Sequence, residues 1–234
     1  EAGRQSRFYK IKDASFLFRK NMLPSISILA PAYCEEKNII SSVESLLNIN
    51  YPDFEVIVVN DGSGDATLGE LVAHFKLEKA DTDYAETLLT QPVRGIYTNP
   101  RIPELTVIDK INGGKADSLN VGLNAATGDY VLGIDSDSIL ERDALLSLCS
   151  AFLDEELPVV ASGGNIMPVN GCTVDRGCVM VKRIPPQAVP LFQTIEYLRA
   201  FMNGRLGWAR IDSLLIISGA FGIFRRADVL AING

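Results

Sequence analysis

The sequence predicts an α/β domain: a mostly parallel, Rossmann-like sheet with helices on both faces. Three observations carry that prediction. Short runs rich in branched apolar residues recur at 25–30, 54–59, 105–109 and 131–134, each the length of a buried strand. Polar loops and helical stretches alternate with them, as parallel strands connected by covering helices require. No period of 20 to 50 residues recurs, which excludes a repeat array. With 234 residues, 47% of them hydrophobic, the chain fits one large domain with a sizeable core.

In chain order, Ser25 to Ala30 is the first strand, followed by the loop Pro31-Ala32-Tyr33-Cys34-Glu35-Glu36 and a helix to about Asn48. Phe54 to Val59 is the second, running into Asn60-Asp61-Gly62-Ser63-Gly64-Asp65 and a helix to about Glu78. Residues 79–104, with Pro92, Gly95, Pro100 and Pro103, read as an irregular excursion. Leu105 to Asp109 is a strand, and Asn112-Gly113-Gly114-Lys115 opens a helix from Ala116 to Ala126. Val131 to Ile134 is the next strand, and a helix from Ala144 to Phe152 follows. Pro158 to Ala161 reads as one more strand, and 162–186 as a hairpin or long loop. From about Gln187 to Trp208 an apolar stripe at Leu191, Ile195, Leu198, Met202 and Leu206 marks an amphipathic helix. It either lies near a membrane or acceptor channel, or packs its apolar face on the sheet.

Residues 1–23 form a separate basic, aromatic arm ahead of the domain at 24–234, read as packing on it in preference to lying on an anionic membrane. The net charge of −7, from 22 basic and 29 acidic side chains, provides no general attraction to nucleic acid. Cys34, Cys149, Cys172 and Cys178 contain no C-x-x-C and His74 is the single histidine, so a Cys/His zinc site is not expected. A reducing, cytoplasmic setting with unpaired thiols is the simpler reading. The apolar run 214–224 is about half of the ~20 residues that cross a bilayer, and residues 1–20 do not read as a signal peptide.

Chemistry concentrates at the ends of the strands, where ligands bind in such sheets. Asp135 and Asp137, one residue apart on extended backbone, can project to one side and suit a hard divalent ion. Capping of the following helix by Ser138 or Asp143 is the competing reading. Asp61-Gly62-Ser63-Gly64 lacks the third glycine of a dinucleotide fingerprint, since Thr67 stands there. Asp109 and Ala116 stand where a P-loop needs Gly and Ser/Thr. Gly113, Gly114 and Lys115 nevertheless place N–H groups and a point charge at a helix N-terminus, a setting that welcomes phosphate. Asp61 reads either as an acceptor for a base or ribose or as a turn and cap residue, and Tyr33 and Glu35 either contact a nucleoside or pack the loop.

Taken together, Pro31-Ala32-Tyr33-x-Glu35, Val58-Val59-Asn60-Asp61-Gly62-Ser63, Asn112-Gly113-Gly114-Lys115-Ala116-x-x-Leu119-Asn120 and Asp135-Ser136-Asp137 resemble the ordered motifs of family 2 inverting glycosyltransferases with the GT-A fold. Gln193-x-x-Glu196-Tyr197 and Ser218-Gly219-Ala220-Phe221-x-x-Phe224-Arg225-Arg226 are similar to its membrane-embedded branch, the synthases of cellulose, chitin, hyaluronan and poly-N-acetylglucosamine. The resemblance implies that Ala32, Tyr33, Glu35 and Asp61 hold the uridine of a UDP-sugar and that Lys115 approaches the diphosphate. Asp135 and Asp137 would bind the donor through Mg²⁺ or Mn²⁺, and Gly219 and Ala220 would line the side where a saccharide or other hydroxyl acceptor enters. Cys34 stands where Asn is commoner.

The family's acidic general base and the Gln-x-x-Arg-Trp motif of its processive branch are absent from these residues. The late carboxylate Asp228 reads as a helix cap, so no catalytic residue is assigned within the sequence and the general-base Asp is expected beyond Gly234. The expectation is therefore the amino-terminal part of a longer membrane enzyme, its domain on the cytoplasmic side, that binds donor but turns over poorly alone. A non-catalytic nucleotide-sugar sensor or scaffold on the same fold is the alternative.

Overall fold

The structure, a computed structural model, describes residues 23–81, 84, 86–136, 138–149, 160–175, 178–200 and 221–234. Four parallel strands make its centre: β1 (Ile26–Ala32), β2 (Phe54–Asn60), β5 (Leu105–Lys110) and β6 (Tyr130–Ile134). Antiparallel strands flank them. β3 (Glu78–Ala80) and β4 (Val93–Thr98) lie beside β5, while β10 (Phe221–Arg225) and β7 (Ala161–Gly163) lie beside β6, giving the order β3-β4-β5-β2-β1-β6-β10-β7.

Alternation along the central strands sorts their side chains to two cores. Ile26, Ile28, Val56, Val58, Leu105, Val107 and Leu132 face one side, where α1 (Ile39–Leu47), α2 (Thr67–Phe75) and α4 (Ala144–Cys149) contribute Ile39, Val43, Leu71 and Leu145. Leu29, Ile57, Val59, Ile108 and Val131 face the other, against Val121 and Leu123 of α3 (Lys115–Ala125). Helices on both faces explain why these strands read as nearly continuous apolar runs.

Several boundaries differ from expectation. The helix after Asp65 ends at Phe75, because Lys76 turns left-handed (φ 52°) and the N–H of Lys76 and Leu77 close on the Val72 carbonyl. Glu78 is therefore in a strand. The excursion 79–104 contains β4, a full partner of β5 with an irregular register at Val93/Gly95, which is why its pattern was not legible. Segment 162–186 does hold a small hairpin, β8 (Thr173–Asp175) with β9 (Cys178–Val181). Cys178 pairs across the hairpin with Asp175, and the Cys172 and Cys178 thiols are both free, as expected.

α5 (Ala188–Tyr197) covers the first part of the helix expected over 187–208, with Met202 and Leu206 outside the described residues, and its apolar side chains are not packed away: Val189, Phe192 and Ile195 are exposed and Thr194 is buried. No helix among the described residues is long and apolar enough to cross a membrane. Asp228, in the first turn of α6 (Arg226–Ala231), makes no cap. Its two oxygens accept from Nε and a terminal nitrogen of Arg225 at 2.6 and 3.0 Å. Asp143 likewise accepts from the Asn50 amide at 2.9 Å. The arm at 1–22 lies outside the described residues.

Candidate functional site

β1 sits between β2 and β6, so the chain leaves β1 in one direction and returns on its other side. Such a switch point opens a crevice at the carboxyl ends of the two strands. A cleft of about 260 Å³ lies there, lined by Pro31, Ala32, Tyr33, Glu35, Asp61, Lys115, Ser118, Asp135 and Ser136. Six residues singled out from sequence, Ala32, Tyr33, Glu35, Asp61, Lys115 and Asp135, thus share one wall system although up to 103 positions separate them. Asp137, Gly219 and Ala220 lie outside the described residues. Gly234, beyond which the general base is expected, is not part of the cleft wall: it follows α6, its N–H donates to the Val229 carbonyl at 3.1 Å, and it lies against the Asn120 side chain of α3.

Each side chain is delivered by a strand end or a helix start. Tyr33, just past β1, is 57% exposed and lines the cleft. The loop behind it is tied to the turn after β2: the Cys34 N–H donates to Ser63 Oγ at 3.0 Å and the Glu35 N–H to Thr67 Oγ1 at 2.9 Å. Asp135 follows β6 and pairs with the Lys115 ammonium across the cleft. At 52% and 38% side-chain exposure this is a wet, exchangeable contact.

Asp61 is placed differently. It is buried, and its Oδ1 accepts from Lys110 Nζ at 2.5 Å and the Gly113 N–H at 2.9 Å. Oδ2 accepts from the Gly114 N–H at 2.8 Å and the Asn112 amide at 3.2 Å. Burial opposes its charge, but the Lys110 ammonium and the two glycine N–H groups outweigh that and hold the carboxyl below the usual range. Two glycines make the junction possible. A Cβ on Gly62 would stand 2.8 Å from the Asn112 nitrogen, and Gly114 turns at φ 88° to start α3.

The model of the family described as "Glycosyl transferase family 2" matches residues 27–226, most of the chain. The chain belongs to glycosyl transferase family 2. It is 25% identical over 203 residues to the poly-beta-1,6-N-acetyl-D-glucosamine synthase of Staphylococcus epidermidis, covering 86% of this chain and 40% of that protein. It is 26% identical over 212 residues to the synthase of the same name from Staphylococcus aureus strain COL, covering 90% and 42%. It therefore spans about two fifths of the length of these curated relatives. Its fold is that of the mannosyltransferase PcManGT of Pyrobaculum calidifontis, solved in complex with GDP-Man and Mn²⁺ (TM-score 0.54, 22% identity, 91% of this chain and 47% of that one). The family 2 assignment and the GT-A architecture expected from the motifs both stand.

Within this family 2 domain the glycine loop departs from expectation. The N–H groups of Gly113 and Gly114 do not wait for phosphate; they close on Asp61, which acts as a cap supplied from 52 and 53 residues away. The cleft-facing cation is the Lys115 side chain.

Sequence reasoning missed three residues. Lys110, at the end of β5, is fully buried and bridges Asp61 to Asp117 Oδ2 at 2.9 Å. Asp117 also accepts from the Gln91 N–H at 2.9 Å. The signal was in phase: Lys110 falls two residues after Ile108, on the face that meets α3, where a charge demands a partner. Ser118 lines the cleft with a buried hydroxyl that has no hydrogen-bond partner among the described residues.

Among the described residues no group of three or more His, Cys, Asp or Glu could hold a metal. Asp135 brings a partly exposed carboxylate to the cleft, where it already faces a cation, a donor of the kind a hard divalent ion takes together with substrate phosphates.

Proposed function

We propose that this domain binds a nucleotide-sugar donor, a UDP-sugar, and transfers the sugar with inversion to a hydroxyl acceptor as part of a membrane polysaccharide synthase. The observation that carries the reading is the convergence of Tyr33, Glu35, Asp61, Lys115 and Asp135 on one cleft at the switch point of the sheet. The names of the curated relatives, synthases of an N-acetylglucosamine polymer, supply the reaction class.

In this reading the base stacks on Tyr33, whose exposure leaves its ring free, and Glu35 accepts from the nucleoside. All four short contacts of Asp61 are internal, so it shapes the pocket wall and its charge, and Ala32 gives the ribose close approach. Lys115 exchanges Asp135 for the diphosphate and balances its charge. Asp135, with Asp137, would hold Mg²⁺ or Mn²⁺. A bound ion supplies Lewis-acid stabilisation of the departing nucleoside diphosphate. The acceptor enters on the side assigned to Gly219 and Ala220, and its general base is a carboxylate that follows Gly234 in the longer protein. Asp228 is not assigned that role, since both its oxygens already pair with Arg225.

The domain corresponds to 24–234, with 1–23 as an arm. The longer protein carries it on the cytoplasmic side of a membrane. The apolar side chains that α5 leaves exposed fit such a setting.

A thermal-shift panel of UDP-GlcNAc, UDP-glucose and GDP-mannose, each with and without Mn²⁺, tests the reading. A rise in melting temperature with a UDP-sugar that is larger with Mn²⁺ is expected; no rise with any nucleotide sugar overturns it.

A further inference from the structure

We propose that Lys110 is a positioning residue for the donor cleft, its buried ammonium keeping Asp61 ionised so that the Asn112–Gly114 turn stays closed and Lys115 is delivered to Asp135. The inference rests on the reading of the cleft as a nucleotide-sugar site.

Lys110 has no exposed surface, and a buried ammonium is tolerated only where opposite charge meets it. It meets two such groups, Asp61 Oδ1 at 2.5 Å and Asp117 Oδ2 at 2.9 Å. The chain of contacts then runs to the cleft. Asp61 accepts from the Gly113 and Gly114 N–H groups and the Asn112 side chain, and Lys115 follows Gly114 as the first residue of α3.

A carboxylate can accept both glycine N–H groups, whereas a protonated carboxyl must turn its O–H away from them. Other charges face Asp61 from the cleft it lines, namely Glu35, Lys115 and Asp135. Asp117 adds a second negative charge, and the Asp109–Arg94 pair at 2.7 Å lies one residue away on β5. Without Lys110, the buried Asp61 and the partly buried Asp117 lose the ammonium that lies between them, which makes keeping both ionised more costly.

Proton-coupled positioning predicts what simple packing does not. In wild-type protein the amide resonances of Gly113 and Gly114 should be flat between about pH 5.5 and 8, because Asp61 stays ionised throughout. In Lys110→Met they should titrate within that window, and UDP affinity in the presence of Mn²⁺, taken relative to wild type at the same pH, should fall about tenfold per pH unit below the midpoint. Adding Asp117→Asn should return the midpoint toward lower pH. A Lys110→Met protein that melts earlier but keeps flat glycine amides and a pH profile of UDP affinity parallel to wild type overturns the proposal and leaves Lys110 a packing residue.

Should Lys110→Met not fold, the wild-type titration decides: an inflection of the glycine amides between pH 5.5 and 8 overturns the proposal, and its absence together with an unchanged loop in Asp117→Asn supports it. The two readings separate cleanly. If wild-type protein binds no UDP at any pH, the donor-site reading fails and Lys110 loses its function. If it binds UDP and only the titration arm fails, Lys110 alone is at fault.

Discussion

Lys115 and Asp135, the first residue of α3 and the residue after β6, hold each other across the cleft as a partly solvated ion pair. In the proposed function the lysine occupies the carboxylate that a divalent ion would use, so the two cations would compete until a diphosphate engaged both. Replacing Lys115 with Met should therefore tighten Mn²⁺ binding in the absence of nucleotide, by up to about tenfold, while weakening UDP binding by at least as much. Electron paramagnetic resonance of free Mn²⁺ checks the first effect and calorimetry the second. Stability should change by no more than about 1 kcal/mol, the scale of an exposed pair.

Tyr33 separates binding from folding. Its ring is 57% exposed, so Tyr33→Ala should leave the melting temperature nearly unchanged. Loss of a base-stacking face should lower UDP affinity by about 1–3 kcal/mol. An affinity equal to wild type would remove Tyr33 from the site.

Acid should reveal Asp61 in the opposite direction from a raised group. Its folded carboxyl is held below the usual range by Lys110, Gly113 and Gly114. Its stabilising contribution is thus fully present above the unfolded value of about 3.9 and lost as pH falls through the lower, folded value. Urea unfolding of wild type and Asp61→Asn should show a gap that is constant from about pH 7 to 5 and shrinks below about pH 4. A gap that widens on acidification contradicts the assignment.

Leu132, on β6 directly beneath the Asp135 turn, has no exposed surface. Leu132→Ala should cost about 2–5 kcal/mol by leaving a cavity between β6 and the helices that cover it. Chemical denaturation measures this. A cost below about 1 kcal/mol would mean that this face of the sheet is not a tight core.

How far the sequence was legible follows from how local each signal is. β1, β2, β5 and β6 announced themselves because burial on both faces leaves them little but branched apolar residues. β3 and β4 did not: β3 is three residues at the sheet edge, and β4 carries Gly95 and an irregular register. Ala32, Tyr33, Glu35, Asp61, Lys115 and Asp135 could be named because the motifs that resemble family 2 fall at strand ends and helix starts. What they do to one another could not. The closure of Gly113 and Gly114 on Asp61 spans more than fifty residues, and Lys110 looks in sequence like an ordinary polar strand end.

In the proposed function Asp135 joins a divalent ion to the diphosphate of a donor in this cleft. Isothermal calorimetry of UDP with and without Mn²⁺, on wild type and Asp135→Asn, tests it directly. Wild type should bind UDP at least about tenfold more tightly with Mn²⁺ than without, and Asp135→Asn should lose that enhancement. Equal Mn²⁺ enhancement in both proteins would contradict the account.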